Sequence, residues 1–227
     1  MAPGNLKQLI TVFYNFLLIF ILCTGCASKS ENKSDDTNIL KSADTEWENM
    51  FDGKSLDNWE ITQFGPQGPV YVSEGSVVLG MGDGCTGITW QKNFPEMNYE
   101  VKLEAKKISG NDFFCGITFP VGDSHCSFIA GGWGGPVVGL STIDGLDASE
   151  NETRILKKFE HDIWYTISLK VTEETISAWI DDEQVVDFIH TGRKLSIRPE
   201  VNLSKPFGIC SWTTTAAVKN IRVKHLK

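Results

Sequence analysis

The stretch Tyr99-Glu100-Val101-Lys102-Leu103-Glu104-Ala105-Lys106 alternates apolar and charged residues without a break. Because successive side chains of a β-strand point to opposite faces, this pattern predicts a strand that buries one face and exposes the other. The segment Tyr165-Thr166-Ile167-Ser168-Leu169-Lys170-Val171 repeats the pattern later in the chain. A period of two is therefore the strongest regularity of the sequence after its N-terminal segment, and it indicates β structure.

Two further strands follow the second of these segments closely. The run Ile176–Ile180 keeps the period of two after an acidic turn at Glu173–Glu174, and another turn at Asp181–Asp182 leads into Gln184–Phe188. Short polar turns between alternating segments are typical of hairpins. The sequence therefore predicts three consecutive antiparallel strands between residues 164 and 188.

The rest of the chain after residue 47 contains many short apolar segments separated by Gly, Pro, Asn and Asp. No segment there has the period of an amphipathic helix. The additional strand candidates are Ser76–Leu79, Gly87–Trp90, Phe113–Phe119, Cys126–Ala130, Val137–Ile143, Phe207–Trp212 and Val218–Leu226. We therefore predict an all-β sandwich or barrel, in which the first and last strands pair.

The N-terminal segment has the layout of a secretion signal. Lys7 precedes the apolar run Phe16–Leu22, which is followed by Cys23-Thr24-Gly25-Cys26. An apolar core this short predicts a cleaved signal peptide, residues 1–25, and not a spanning helix of roughly 20 residues. Small residues directly before a cysteine resemble the bacterial lipobox, which implies lipid attachment to the thiol of Cys26. The alternative is an ordinary cleaved signal with an incidental cysteine.

Residues 26–47 are mostly polar, and residues 48–227 are predicted to form one globular domain. The polar segment has too few apolar side chains to offset the entropy lost on ordering, so it predicts a flexible tether. With a lipid on Cys26, the chain would be exported and anchored to the bacterial cell envelope, at the outer membrane or the cell surface. The net charge of −8 argues against nucleic acid as a partner.

Cysteines of the predicted domain lie at Cys85, Cys115, Cys126 and Cys210. Their even number in an exported protein permits disulfides, but four cysteines allow three pairings and the spacing does not select one. Buried free thiols that pack as small apolar groups are the alternative.

Three parts of the domain carry a resemblance to a known family. They are the opening Phe51-Asp52-Gly53-Lys54-Ser55-Leu56-Asp57-Asn58-Trp59, the strand Tyr99–Ala105, and the ending Phe207–Ile209 with Val218–Val223. Together they resemble the 3-keto-disaccharide hydrolase domain family over the whole domain. The resemblance implies a concanavalin-like jelly roll of two antiparallel sheets, with a concave face that can hold sugar. It also implies activity on glycosides oxidised at the 3-position of the sugar.

Two tryptophans are candidates for stacking on a sugar ring. Trp133 lies within Ala130–Pro136, where four glycines permit sharp turns and close approach of a ligand. Trp212 ends a predicted strand and precedes Thr213–Thr215. An indole offers a flat apolar face and an N–H donor, although a tryptophan that closes the core has the same sequence pattern. We predict Trp133 and Trp212 as substrate-binding residues.

The densest polar cluster runs from residue 141 to residue 154. If residues 150–155 are extended, Glu150, Glu152 and Arg154 share one face and Asn151 lies on the other. Carboxylates near an arginine can bind sugar hydroxyls, polarise a carbonyl or act as a base. We predict Glu150, Glu152 and Arg154 as catalytic residues and Asn151 as substrate-binding. A solvated edge strand with a surface ion pair is the alternative.

Other polar residues give weaker signals for a metal or an acid–base group. Asp144, Asp147 and Glu150 offer oxygen ligands, but their spacing does not match an EF-hand loop. We therefore predict Asp144 as substrate-binding and assign no metal ligand, and a divalent metal ion is the only cofactor left open. His125 is the fourth catalytic candidate, although a lone histidine more often has a structural role.

The carboxylate pattern Glu-x-Asp-x-Glu of many jelly-roll glucanases is absent. Retaining hydrolysis needs two carboxyl groups about 5 Å apart, which disfavours ordinary glucanase activity here. The leading hypothesis is cleavage of 3-keto-glycosides by elimination and hydration, with Glu150 or Glu152 as base and Arg154, His125 or a divalent ion at the ketone oxygen. The alternatives are a non-catalytic carbohydrate-binding surface lipoprotein and a structural or protein-binding sandwich.

Overall fold

The computed structural model describes residues 46–227, so the predicted signal peptide, Cys26 and nearly all of the predicted tether lie outside the described residues. The strands of the described part are β1 (Glu48–Asn49), β2 (Trp59–Ile61), β3 (Val70–Ser73), β4 (Ser76–Leu79), β5 (Cys85–Trp90), β6 (Tyr99–Gly110), β7 (Cys115–Val121), β8 (Ser124–Gly132), β9 (Val137–Ser141), β10 (Ile155–Leu156), β11 (Trp164–Val171), β12 (Thr175–Ile180), β13 (Glu183–Ile189), β14 (Gly208–Trp212) and β15 (Thr214–His225). A 3-10 helix spans Pro199–Ser204. Among these residues no helix has the length and apolarity needed to cross a membrane.

The strands form two antiparallel sheets, which confirms the predicted all-β fold class. Sheet A has the order β13-β12-β11-β6-β15-β4-β3, with β1 also paired to β15. From Tyr99 to Lys106, strand β6 alternates between buried and part-exposed residues, as the sequence predicts. Strands β11, β12 and β13 pair as consecutive antiparallel neighbours, so the predicted three-strand unit is also confirmed.

The two ends of the domain meet in sheet A. Glu48 of β1 pairs with Val223 of β15, which confirms the expected pairing of the first and last strands. The opening segment is fixed by Trp59, whose Nε1 donates to the carbonyl oxygen of Met50 at 2.8 Å. Its indole also packs edge-on against Trp90, with 5.1 Å between the ring centroids.

Sheet B has the order β10-β9-β8-β7-β14-β5-β2 and is buried on both faces along its central strands. Its inner face packs against sheet A through large apolar residues such as Ile117, Phe119 and Phe128. Its outer face carries small and polar residues, among them Thr118, Ser127 and Gly208. A sheet covered on both faces lacks the regular alternation of a half-exposed strand.

Two segments of the chain cover parts of this outer face. The 3-10 helix lies over β5 and β14, where Thr89 Oγ1 donates to the carbonyl oxygen of Leu203 at 3.1 Å. A side chain at Gly208 would place its Cβ 2.7 Å from the Cβ of Ser204, so glycine is required for this close packing. On β9, the Leu140 N–H donates to Thr153 Oγ1 at 2.9 Å. These segments leave part of the outer face open, and a pocket lies there.

All four domain cysteines are buried and free in the described structure, as in the second of the two alternatives that the sequence leaves open. Burial raises the pKa of Cys126 to about 12, and it raises the pKa of Cys115 further. Both thiols are therefore protonated at neutral pH and pack as small apolar groups.

Candidate functional site

The pocket on the outer face of sheet B encloses about 230 Å³. Its residues come from four strands of sheet B and from the loops beside them. They are Cys85, Asp112, Phe113, Ser127, Ile129, Trp133, Ser141, Arg198, Glu200, Val201 and Trp212. The set combines aromatic walls, hydroxyls, carboxylates and one guanidinium, a composition that suits a polar ligand with apolar faces.

Trp133 and Trp212 supply the aromatic walls. Trp133 lies in the glycine-rich connection between β8 and β9 with a positive φ of 49°, and its side chain is 38 % exposed. Trp212 ends β14, where its main-chain N–H donates to the carbonyl oxygen of Phe113 at 3.0 Å. The rings of Phe113 and Trp212 are 6.4 Å apart between centroids. The structure therefore brings both predicted tryptophans to one pocket.

Asp112 fixes the loop that carries Trp133. One carboxylate oxygen of Asp112 accepts a hydrogen bond from the Phe113 N–H at 2.8 Å, and the other accepts from the Gly134 N–H at 3.2 Å. Gly134 has a positive φ of 83°, a conformation that glycine adopts without steric cost. Asp112 thus orients the tryptophan loop and still presents carboxylate lone pairs to the pocket.

Arg198 and Glu200 form a charged wall at the start of the 3-10 helix, which contains Glu200. Arg198 donates from Nη2 to Glu200 Oε1 at 2.9 Å and from Nη1 to Asp147 Oδ2 at 3.0 Å. The hydrogen bond from Arg198 lowers the pKa of Glu200. The same pairing, mainly through Glu200, raises the pKa of Arg198. The pocket therefore holds a carboxylate and a cation side by side, both ionised at neutral pH.

The floor of the pocket is formed by Cys85, Ser127, Ile129 and Ser141. Ser127 of β8 lies directly opposite Ser141 of β9 in the strand register. The Ser127 hydroxyl is hydrogen-bonded to Thr118 Oγ1 at 3.0 Å. The Ser141 hydroxyl is buried and has no partner among the described residues.

Asp144 and Glu152 are brought together outside the pocket. Arg193 donates from Nε to Asp144 Oδ2 at 2.7 Å and from Nη1 to Glu152 Oε1 at 2.6 Å. The Lys194 N–H, and after it Arg193, lower the pKa of Asp144. The hydrogen bond from Arg193 lowers the pKa of Glu152. This is a surface ion-pair cluster, and a surface ion pair is the alternative that the sequence leaves open for this region.

Residues 147–153 form turns and are not extended, so Glu150, Glu152 and Arg154 do not share a strand face. The side chain of Asn151 organises these turns. Its Nδ2 donates to the carbonyl oxygens of Leu140 at 2.7 Å and Asp147 at 2.8 Å, and its Oδ1 accepts from Thr153 N at 3.0 Å. Because Asn151 is 6 % exposed and bonded to the main chain, its polar atoms face the protein and not the pocket.

Glu150, Arg154 and His125 also lie apart from the pocket lining. Glu150 and Arg154 are exposed. His125 lies near the start of β8, and its Nε2 is buried without a hydrogen-bond partner among residues 46–227. Burial, followed by the nearby Lys205, lowers the pKa of His125. Within the same residues no group of three or more His, Cys, Asp or Glu side chains is arranged to hold a metal ion.

Five pocket residues are not predicted from the sequence, namely Asp112, Ser127, Ser141, Arg198 and Glu200. Asp112, Arg198 and Glu200 come from loops or the short 3-10 helix, where no periodic pattern marks them. The serines alternate with core residues along β8 and β9. A polar residue within an otherwise apolar strand is the one signal that points to them.

Solved structures of similar fold include both enzymes and a binding module. A candidate glycosyl hydrolase of Parabacteroides distasonis has a TM-score of 0.53 at 15% identity, covering 80% of this chain and 94% of its own. The carbohydrate-binding module CBM66 of Bacillus subtilis has a TM-score of 0.51 at 13% identity, covering 74% and 95%. The β-glucanase of Bacillus licheniformis has a TM-score of 0.55 at 9% identity, covering 82% and 100%. At these identities the likeness shows the fold alone, which is the jelly roll of these proteins.

The sequence itself gives a more specific result. No curated protein sequence matches the chain significantly. Residues 46–224, which include the whole pocket and all of the described strands except the last residue of β15, match the family described as the 3-keto-alpha-glucoside-1,2-lyase-like domain. This match confirms the resemblance that the opening segment, the strand Tyr99–Ala105 and the C-terminal ending carry. The chain therefore belongs to the family of 3-keto-alpha-glucoside-1,2-lyase-like domains.

Proposed function

We propose that this protein acts on carbohydrate, binding one sugar ring between Trp133 and Trp212 and cleaving glycosides that carry a ketone at C3. The observation that carries the proposal is the pocket itself, where two indoles lie beside the Arg198–Glu200 pair. Family membership supports the choice of substrate. The pocket volume of about 230 Å³ lies just below the range of about 300–1,000 Å³ that is typical of sites for drug-sized ligands. This suits a single ring, with the leaving group toward solvent.

The chemistry that fits such a substrate is elimination followed by hydration. A ketone at C3 acidifies the hydrogen on C2, so a base can remove that proton and leave an enolate. The enolate re-forms the ketone as the C1–O bond breaks and the leaving group takes up a proton. Water then adds across the C1–C2 double bond, with hydroxide at C1 and a proton at C2. The net reaction is hydrolysis of the glycoside without oxidation or reduction.

Two pocket residues suit the roles that this route requires. A base is needed within hydrogen-bond reach of C2, and a cation or N–H donors are needed at the C3 oxygen, where negative charge develops. Glu200 and Asp112 are the carboxylates of the pocket lining, and Arg198 is its cation. We assign the base to Glu200, because Asp112 already accepts two main-chain N–H donors. Arg198 would stabilise the enolate oxygen.

A carbohydrate-binding role without turnover is the second candidate. The observation that favours it is the lowered pKa of Glu200 next to Arg198, because a carboxylate stabilised in this way is a weaker base. A lectin-type site needs the tryptophans and hydrogen-bonding groups but no base. The likeness to CBM66 is compatible with this role but does not favour it over catalysis.

The two candidates differ in whether a bond is broken. Purified protein is incubated with aryl α-glucosides and with their 3-keto forms, and release of the aryl group is followed. We expect release from the keto forms only, and we expect Glu200→Gln to abolish it. Glu174→Gln is the matched control, because Glu174 is exposed in a turn of sheet A. Binding of the keto forms without release by the wild-type protein would select the second candidate.

We further propose that the protein is an exported lipoprotein anchored through Cys26. The apolar run followed by small residues and Cys26, with the polar residues 27–47 behind it, supports this proposal. The lipid would hold the domain at a membrane surface of the cell envelope. Mass spectrometry of the detergent-extracted protein should find a lipid-modified N-terminal cysteine. A water-soluble product with an unmodified Cys26 would contradict the anchor without affecting the proposed reaction.

A further inference from the structure

Ser141 occupies an unusual position in the pocket floor. Its side chain is 1 % exposed, it lines the pocket, and its Oγ has no hydrogen-bond partner among residues 46–227. The facing Ser127 hydroxyl is different, because it is already bonded to Thr118. The floor therefore holds two opposed hydroxyls, and only that of Ser127 is hydrogen-bonded within residues 46–227.

A buried hydroxyl without a partner is uncommon in folded proteins, because burial removes its hydrogen bonds to water. The backbone beside Ser141 is held in place, because the Thr142 N–H donates to the carbonyl oxygen of Ser196 at 2.7 Å. Strand β9 is also held between β8 and β10. The hydroxyl is thus kept at the pocket floor by a fixed backbone, without a partner among residues 46–227.

We propose that the Ser141 hydroxyl binds one oxygen of the sugar ring and makes this oxygen a requirement for binding, an inference that rests on the proposed function. A ring held between Trp133 and Trp212 would present its substituents, not its faces, to the floor. A serine hydroxyl both donates and accepts, so it can pair with a sugar hydroxyl or with a ketone oxygen. An analogue that lacks this oxygen would leave Ser141 unpaired. Sites of this kind discriminate strongly against such analogues.

The structure also supplies a matched control. The hydroxyl of Ser204 is likewise buried and without a partner in the described residues, and Ser204 is 1 % exposed. It lies under the end of the 3-10 helix against Gly208 and does not line the pocket. Replacing Ser204 by Ala therefore removes the same kind of group at a place that no pocket ligand reaches.

The test measures sugar binding by titration calorimetry for the wild type, Ser141→Ala, Ser141→Cys and Ser204→Ala. The ligands are methyl α-D-glucopyranoside, its four mono-deoxy analogues and its 3-keto form. The 3-keto form is also measured by initial rates. We expect Ser141→Ala and Ser141→Cys to weaken binding of the parent glucoside about three- to tenfold. We expect no weakening for the one deoxy analogue that lacks the recognised oxygen. Ser204→Ala should bind like the wild type, and no variant should lower the melting temperature.

Two failures can be told apart. A wild-type protein that binds the probes, together with a folded Ser141→Ala that binds every one of them equally well, would overturn the role of Ser141 alone. A wild-type protein that neither binds nor cleaves any of the probes would overturn the proposed function, and the role of Ser141 with it.

Discussion

Arg198 donates from Nη2 to Oε1 of Glu200 at 2.9 Å, on the wall of a pocket that both residues line. This contact lowers the pKa of Glu200, because the ionised carboxylate accepts the hydrogen bond and faces a cation. The pair therefore fixes the carboxylate in place and reduces its basicity at the same time. The balance between positioning and basicity decides the pH range in which Glu200 can act as a base.

We predict that Arg198→Met moves the acid limb of the kcat/KM profile to higher pH. This limb reports the pKa of the base in the free enzyme, and without Arg198 the pKa of Glu200 returns upward toward its ordinary value. The wild-type limb should lie below that value. The measurement is kcat/KM against pH with an aryl 3-keto-glucoside. Arg193→Met is the control, because Arg193 pairs with Asp144 and Glu152 outside the pocket. An acid limb that does not move would exclude Glu200 as the base.

We predict that Trp133→Ala and Trp212→Ala each weaken sugar binding about tenfold or more. Each change removes an aromatic face and the buried apolar contact that a stacked ring makes. Trp164→Ala is the control, since Trp164 stacks with Lys106 and Lys219 on sheet A. Calorimetric titration with methyl α-D-glucopyranoside measures the effect. Wild-type affinity in a folded Trp133→Ala variant would mean that this indole packs against the protein only.

We predict that Asn151→Ala destabilises the domain by about 2–4 kcal/mol, because it removes the Nδ2 donor and the Oδ1 acceptor that hold the turns of residues 147–153 together. The carbonyl oxygens of Leu140 and Asp147 lose the Nδ2 donor. Asn202→Ala is the control at an exposed position. Urea unfolding of both variants gives the comparison. A stable Asn151→Ala protein with weakened sugar binding would support the substrate-binding role that the sequence predicts for Asn151.

We predict that Arg193→Met lowers stability at pH 7 and that the loss becomes smaller as the pH falls below about 4, the ordinary carboxyl pKa. The folded-state pKa values of Asp144 and Glu152 are lowered, so their contribution is present above the unfolded-state pKa values and is lost as they protonate. Unfolding free energies at pH 7 and pH 3 test the sign. Arg154→Met should show no such pH dependence, because Arg154 makes no ion pair within residues 46–227. An equal loss at both pH values would contradict the electrostatic origin.

Much of sheet A can be predicted from the sequence, because one of its faces is exposed. The alternation in Tyr99–Lys106 matches β6, and the turns around residues 173 and 181 match the hairpins. Sheet B is less predictable, since its strands are buried on both faces and their ends differ from prediction by one to several residues. The short strands β1, β2, β3 and β10 carry no pattern long enough to identify them.

The candidate site is predictable only in part, for a related reason. Trp133 and Trp212 can be predicted because aromatic residues beside glycine and threonine form a local signal. Arg198 and Glu200 are brought to the same pocket by the path of the chain, which no local pattern encodes. The polar run at residues 150–154 is misleading, because the Asn151 side chain stabilises turns where alternation predicts a strand.

Elimination at C2 is the central claim, and running the reaction in heavy water tests it most directly. A methyl or aryl 3-keto-glucoside is cleaved in D₂O, and the sugar product is analysed by NMR before the ketone exchanges its neighbouring protons. Substrate held in D₂O without protein gives the background exchange. We predict one deuterium at C2 of the product, because the proton removed by the base is replaced from solvent during hydration. A product that retains hydrogen at C2 would show that the C1–O bond is broken by direct displacement and would contradict the proposed mechanism.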